Sequence, residues 1–185
     1  MDKLPVDYAT CECLRLGTDE LVVLMTSAQS GGALLAAEIR MPPGGGPPVM
    51  HRHEPSEVYY VLGGEFTFYT GEQLSDGDWA GIRRVTAAAG DVVPLPGGTP
   101  HTIRNESDAD AVAFVVHAPG APMEGFARAA AALATDGEPN MDQSWASQPG
   151  TVSSCWARSR LPRQPRRDSA LTRSHRDCRN PAHRN

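Results

Sequence analysis

The sequence predicts an all-β fold, and three observations carry that reading. The chain has 18 Gly and 16 Pro in 185 residues, which implies many turns between short elements. Between the turns, short stretches alternate apolar and polar residues with the two-residue period of a strand. Helical spacing is confined to a single stretch that begins at Pro122. The length suits one domain with a real core and is too short for two.

Residues 1 to 10 read as irregular. Cys11 to Leu16 and Leu21 to Thr26 read as strands about the turn Gly17-Thr18-Asp19-Glu20, and Ser27 to Gly32 as a polar loop. Leu34 to Met41 alternates, with Leu35, Ala37, Ile39 and Met41 on one face and Ala36, Glu38 and Arg40 on the other. The Pro/Gly run from Pro42 to Pro48 excludes regular structure and must turn the chain. Val58 to Leu62 and Glu65 to Thr70 are expected to form a hairpin about Gly63-Gly64. Gly71 to Gly81, with Trp79, reads as a polar excursion, and Ile82 to Ala87 as a returning strand. Asp91 to Leu95, His101 to Asn105 and Ala111 to His117 complete the set, the last apolar on both faces. From Pro122 to Ala134 the spacing predicts a helix, with Pro122 in the first turn and Met123, Phe126, Ala127, Ala130 and Leu133 as its stripe. Such a helix either packs on the sheets or covers their open end as a lid.

Four side chains stand out as metal ligands: His51, His53, Glu57 and His101. Three imidazoles and a carboxylate suit a divalent transition ion. His51 and His53, two apart on an extended chain, project to the same side. Glu57 would lie about 13 Å further along one straight strand. Pro55 disfavours a ladder position, so Glu54-Pro55-Ser56 is read as a turn that folds Glu57 back toward the histidines. His101 follows another turn, Pro96-Gly97-Gly98-Thr99-Pro100. Inward parity extends from Glu57 to Tyr59 and from His101 to Ile103, and Phe66 and Phe68 share a strand face. Tyr59, Phe66, Phe68 and Ile103 are therefore the expected substrate-pocket residues, with core packing the alternative for the two phenylalanines. Asn105 and Thr102 are candidates to support the ligands, although a turn role suits Asn105 better. His117 ends its strand and is read as incidental.

Two blocks resemble the signature motifs of the cupin family. Gly45, His51, His53, Glu57 and Gly64 fill G-x5-H-x-H-x3-E-x6-G, and Gly90, Pro96, Gly98, His101 and Asn105 fill G-x5-P-x-G-x2-H-x3-N. The resemblance covers roughly residues 20 to 120. It implies a double-stranded β-helix, the jelly-roll barrel, over residues 1–120, followed by a C-terminal helical segment at 121–146. It also implies a homodimer by analogy, with the N-terminal strands as candidates for the interface. Similarity to quercetin-dioxygenase-like members implies an oxidoreductase acting on a small aromatic or enolic substrate, with molecular oxygen as co-substrate. Glu57 would then be the catalytic base as well as a ligand. The alternatives are a Lewis-acid isomerase or cyclase of a small metabolite, and a non-catalytic small-ligand binder. Iron(II) is favoured for the oxidative chemistry, with manganese, nickel, zinc or copper as the other options.

Composition bounds the partners. Residues 1 to 146 carry 8 Lys plus Arg against 20 Asp plus Glu, a balance of -12, whereas 147 to 185 carry 9 Arg against 2 Asp, a balance of +7. The acidic body gives no footprint for nucleic acid. The Arg-rich tail, 147–185, is expected to be disordered, and its arginines lack the interleaved aromatics of an RNA-binding arm. Related cupins tend to continue with helix past a segment such as Pro139-Asn-Met-Asp142. This chain departs from that after Gln143, so the tail reads as a shifted frame, which translation of the gene in the other frames tests. The start, Met-Asp-Lys-Leu-Pro-Val-Asp-Tyr, lacks a signal-peptide apolar run, and no stretch approaches a membrane span, so a cytoplasmic protein is expected. Cys11, Cys13, Cys155 and Cys178 are too scattered for a disulfide framework and read as reduced thiols.

Overall fold

Alternating strands that bury one face need a second sheet against them, and the computed structural model supplies two. It describes residues 5–47, 49–73 and 79–133. The elements are β1 (Glu12–Leu16), β2 (Asp19–Met25), β3 (Leu35–Met41), β4 (Ser56–Gly63), β5 (Glu65–Gln73), β6 (Trp79–Ala88), β7 (Val92–Leu95), β8 (His101–Arg104), β9 (Ala111–Ala118) and α1 (Gly120–Leu133). One sheet runs β1-β2-β3-β9-β4-β7 and the other β6-β5-β8, with every pairing antiparallel. This is an all-β architecture of two antiparallel sheets with a C-terminal helix. The expected tail, the end of the helical segment and two of the cysteines lie outside the described residues.

Strand parity sets the core. Leu35, Ala37, Ile39 and Met41 on β3 and Ala111, Ala113 and Val115 on β9 all point inward and are buried. Glu57, Tyr59 and Val61 continue that face on β4. The register places Leu35 opposite His117, and His117 opposite Glu57. A single row across three strands therefore passes from an aliphatic side chain to a histidine to a carboxylate.

The expected hairpin about Gly63-Gly64 is not formed. β4 pairs with β7 and β9, whereas β5 pairs with β6 and β8, so the chain changes sheets at these glycines. A register shift between Val61 and Gly63 turns β4 out of its ladder. Gly64 then takes a φ of +69°, where a Cβ would lie 2.5 Å from the carbonyl oxygen of Asp110. The sandwich corner thus needs glycine for its close approach, a demand a two-residue hairpin would also have satisfied.

The helix starts two residues before Pro122, at Gly120. Its amide donates to the Gly32 carbonyl (3.1 Å). A Cβ at Gly120 would stand 2.1 Å from the Leu34 backbone carbon, so the helix begins hard against β3. Met123, Phe126, Ala127 and Ala130 are buried as the stripe required, while Leu133 is exposed. Arg128 fixes the helix to β1, donating to both Glu12 carboxylate oxygens at 2.8 Å. No helix among the described residues is long and apolar enough to cross a membrane. Cys11 is a free thiol, but Cys13 is disulfide-bonded, which corrects the expectation of reduced thiols.

Candidate metal centre

The loop before the first histidines is stitched to β8. The Gly44 amide donates to Asn105 O (2.8 Å), and the Asn105 amide donates to Gly45 O (3.1 Å). Thr102 Oγ1 donates to Pro47 O (3.1 Å), and Arg104 donates to Gly44 O (3.0 Å). Thr102 therefore supports the loop that carries the first candidate ligands. Asn105 serves the turn after β8, where its side chain donates to Met41 O and Ala109 O and accepts from Ser107.

This stitching sets His51 against His101. Their amides and carbonyls exchange two hydrogen bonds, of 2.8 and 2.7 Å, and their rings lie 4.5 Å apart. His53 lies on the same side two residues later, its ring 5.7 Å from that of His51 and 5.1 Å from that of His101. Glu54 and Pro55 turn the chain, so that Glu57 enters from β4. Its carboxylate lies 3.0 Å from His53 Nε2 and 3.5 Å from His101 Nε2. The four sequence-predicted ligands converge.

Each ring is oriented by the main chain. Nδ1 of His51, His53 and His101 faces the carbonyls of Val49 (3.3 Å), Pro55 (2.9 Å) and Thr99 (2.8 Å). A carbonyl only accepts, so Nδ1 carries the proton and the Nε2 lone pair is left for an ion. One ring nitrogen from each histidine lies within 4.8 Å of the others. That limit is slightly wider than two bonds of ~2.1 Å laid end to end.

The electrostatics suit a cation. Burial pushes His51 down to about 3, with His101 and His53 adding to the effect, and a neutral imidazole is the ligating form. Burial alone would raise Glu57, but His101, His117 and His53 hold it well below the usual carboxylate range. Glu57 Oε2 and His117 Nδ1 are buried without a hydrogen-bond partner. His117 Nδ1 does lie 3.1 Å from Glu57 Oε1, yet out of line for a hydrogen bond. A carboxylate oxygen with no donor, beside three rings whose lone pairs face inward, fits a divalent ion as an additional partner.

His117 is the residue that sequence reasoning set aside. The signal was its parity with Ala111, Ala113 and Val115, which carries it inward beside Glu57. Residues that orient a ligand typically change metal affinity roughly ten- to hundredfold when lost. His117→Gln is accordingly expected to weaken zinc binding by about tenfold in a competitive-chelator titration. Unchanged affinity would show that Glu57 is oriented without it.

A cavity of about 220 Å³ opens from the cluster. Tyr59 and Ile103 line it with His51, Glu57, His101 and His117. Burial and the Glu57 carboxylate push the Tyr59 hydroxyl well above its ordinary range, so it stays protonated as a donor. Phe66 and Phe68 are not among the lining residues. Phe68 packs edge-on behind Tyr59, ring centres 5.3 Å apart, with Phe66 6.4 Å beyond it, so both act as core. α1 roofs the far side through Met123, Phe126, Ala127 and Ala130.

Asp19 borders the cavity and accepts from the Gly46 amide at 3.0 and 3.2 Å. Burial pushes its carboxyl up to about 6 from 3.8, against the pull of Gly46, Thr18 and Arg104. The folded state therefore binds the proton more tightly than the unfolded chain, and stability falls as pH rises through the window from 3.8 to about 6. Asp19→Asn keeps an acceptor for Gly46 and removes that loss, worth roughly 2–3 kcal/mol at most. A higher melting temperature is expected at about pH 7.5, with no gain near pH 4; equal gains at both values would contradict this account.

Residues 37–117 match the family model for the Cupin domain. A predicted oxalate decarboxylase from Thermotoga maritima is 26% identical, with a TM-score of 0.51, covering 62% of this chain and 98% of that one. A Thermus thermophilus protein is 29% identical with a TM-score of 0.45, covering 57% and 89%. Oxalate decarboxylase from Bacillus subtilis shares 18% identity at a TM-score of 0.50, over 62% of this chain and 29% of that one. No curated protein matches the chain.

Proposed function

The chain belongs to the cupin superfamily through the domain at residues 37–117, and from that premise we propose a metal-dependent, dioxygenase-like oxidoreductase. Its substrate is a small enolic or aromatic molecule, and iron(II) held by His51, His53, Glu57 and His101 is the favoured ion. The observation that carries the reading is a Glu57 held ionised, one of its buried oxygens without a hydrogen-bond partner, beside three clustered imidazoles at one end of a mainly apolar cavity.

A divalent ion there would supply Lewis acidity toward an enol or catechol oxygen and, for iron(II), a redox route to molecular oxygen. Glu57 has the position to take the substrate proton, since its carboxylate borders the cavity. Tyr59, kept protonated, donates to an oxyanion at the same end. The apolar walls exclude water from that exchange.

A Lewis-acid isomerase or cyclase uses the same base without oxygen, and a non-catalytic binder uses the same cavity without a product. The likeness to the Thermotoga protein favours oxalate decarboxylation as a further reading. The walls weigh against it, because a dicarboxylate would face aliphatic side chains. Oxygen uptake by iron(II)-loaded protein with catechol and small enolic diketone substrates, which the cavity of about 220 Å³ can hold, tests the proposal. Uptake stoichiometric with substrate loss is expected, and turnover unchanged by removing oxygen would reject it. A homodimer is a separate proposal, tested by sedimentation at micromolar protein. Val58, Tyr60, Leu62 and Val92, exposed apolar residues of β4 and β7, are a candidate contact face alongside the N-terminal strands.

A further inference from the structure

We infer that the ligand of this centre is amphiphilic, with a chelating oxygen head at the histidines and an aliphatic body of a few carbons lying between the sheet and α1. The inference rests on reading His51, His53, Glu57 and His101 as a metal centre, and it specifies what else the ligand must carry.

The lining changes character across one row of the sheet. Glu57 on β4 is opposite His117 on β9, which is opposite Leu35 on β3. Two strand spacings, roughly 10 Å, separate the carboxylate from the aliphatic end. Beyond His117 the walls are Leu35, Ile39 and Leu21 from the sheet, with Met123, Phe126 and Ala127 from the helix above. These side chains offer no hydrogen-bond donor or acceptor to a ligand. The remaining polar border, Thr18, Asp19 and Arg104, lies at the loop around Gly44 to Pro47, where Asp19 and Arg104 already bond that loop's backbone.

Size limits the body. An apolar cavity of roughly 150 Å³ holds a benzene, so the cavity of about 220 Å³ here takes about nine non-hydrogen atoms by proportion. A bidentate head of about four atoms leaves room for roughly five carbons. Oxalate would fill the polar end and leave the aliphatic walls without a partner. A flat polycyclic ligand would exceed the space.

Aliphatic hydroxamic acids separate head from body, because the chelating group is constant while the chain grows. Zinc-loaded protein is titrated calorimetrically with the two-, four-, six- and ten-carbon hydroxamic acids and with oxalate. Each methylene buried contributes about 0.8 kcal/mol, so affinity is expected to rise roughly fourfold per carbon up to six and then level off or fall. Oxalate is expected to bind at least tenfold more weakly than the six-carbon acid. Affinities equal within twofold across the series, or oxalate binding tightest, would overturn the inference while leaving the metal centre standing. Failure of the protein to take up one zinc per chain would remove the centre itself, and the inference with it.

Ala127→Phe, which fills the cavity beneath the helix, is expected to cost the six-carbon acid about tenfold and to leave the two-carbon acid within twofold. Equal loss for both would contradict the placement of the body under α1. The series on the unsubstituted protein stands whether or not that variant folds.

Discussion

Alanine at His101 is expected to lower zinc affinity by at least a hundredfold and to leave the purified protein with less than about a tenth of an ion per chain. Outer partners of a ligand alone are worth roughly ten- to hundredfold, and His101 is the residue on which the cluster converges. It bridges to His51 through two backbone hydrogen bonds, its ring lies 4.5 Å from His51 and 5.1 Å from His53, and its Nε2 faces Glu57 at 3.5 Å. Burial lowers its affinity for a proton, but Glu57 more than compensates and raises it. Removing the ring would leave the buried carboxylate short of a compensating partner, a costly arrangement. Elemental analysis and chelator competition read the loss directly. Full occupancy in His101→Ala would show that the ion, if bound, sits elsewhere.

The second large effect is expected at Gly46. Its φ is +108°, and a Cβ there would lie 2.1 Å from the Ile103 carbonyl oxygen. Gly44, two residues earlier, also has a positive φ, of +81°, but a Cβ there meets nothing within 4 Å. Gly44→Ala therefore carries only the backbone term, of about 1 kcal/mol. Gly46→Ala adds displacement of β8, and the sum is expected to reach roughly 3 kcal/mol or more. For a chain of this size that lowers the melting temperature by roughly 6–12 °C. The Thr102–Pro47 bond and the His51–His101 bridge follow directly along the same strand, so metal affinity should fall with stability. Similar thermal shifts for the two variants would mean that the close approach at Ile103 relaxes at little cost.

The convergence of the four candidate ligands was legible in the sequence because spacing and turn residues act locally. Two histidines two apart, a proline before Glu57 and a Pro/Gly turn before His101 needed no knowledge of the rest of the chain. The inward face of β3 was legible for the same reason, since alternation is a property of one strand, whereas β9 is apolar on both faces in sequence and only the fold distinguishes its buried side. What depended on which strands become neighbours was not legible. The Gly63-Gly64 pair satisfies both a hairpin and a change of sheet, and only the partners of β4 and β5 distinguish them. His117 looked incidental because its importance lies in facing Glu57 across β9 and β4. Phe66 and Phe68 shared a face as expected, yet that face packs behind Tyr59 rather than into the cavity. The walls came instead from α1 and β3, whose approach is set by Gly120 against the Leu34 backbone. The raised pKa of Asp19 likewise arises from burial under a loop 27 residues away.

X-ray absorption at the metal edge of protein loaded with one equivalent of zinc tests the centre most directly. The arrangement predicts three imidazole nitrogens and one carboxylate oxygen at ~2.1 Å, with the multiple-scattering pattern of three histidine rings falling to two in His51→Ala. A first shell with fewer than three imidazoles in the unsubstituted protein, or a spectrum that His51→Ala leaves unchanged, would contradict it.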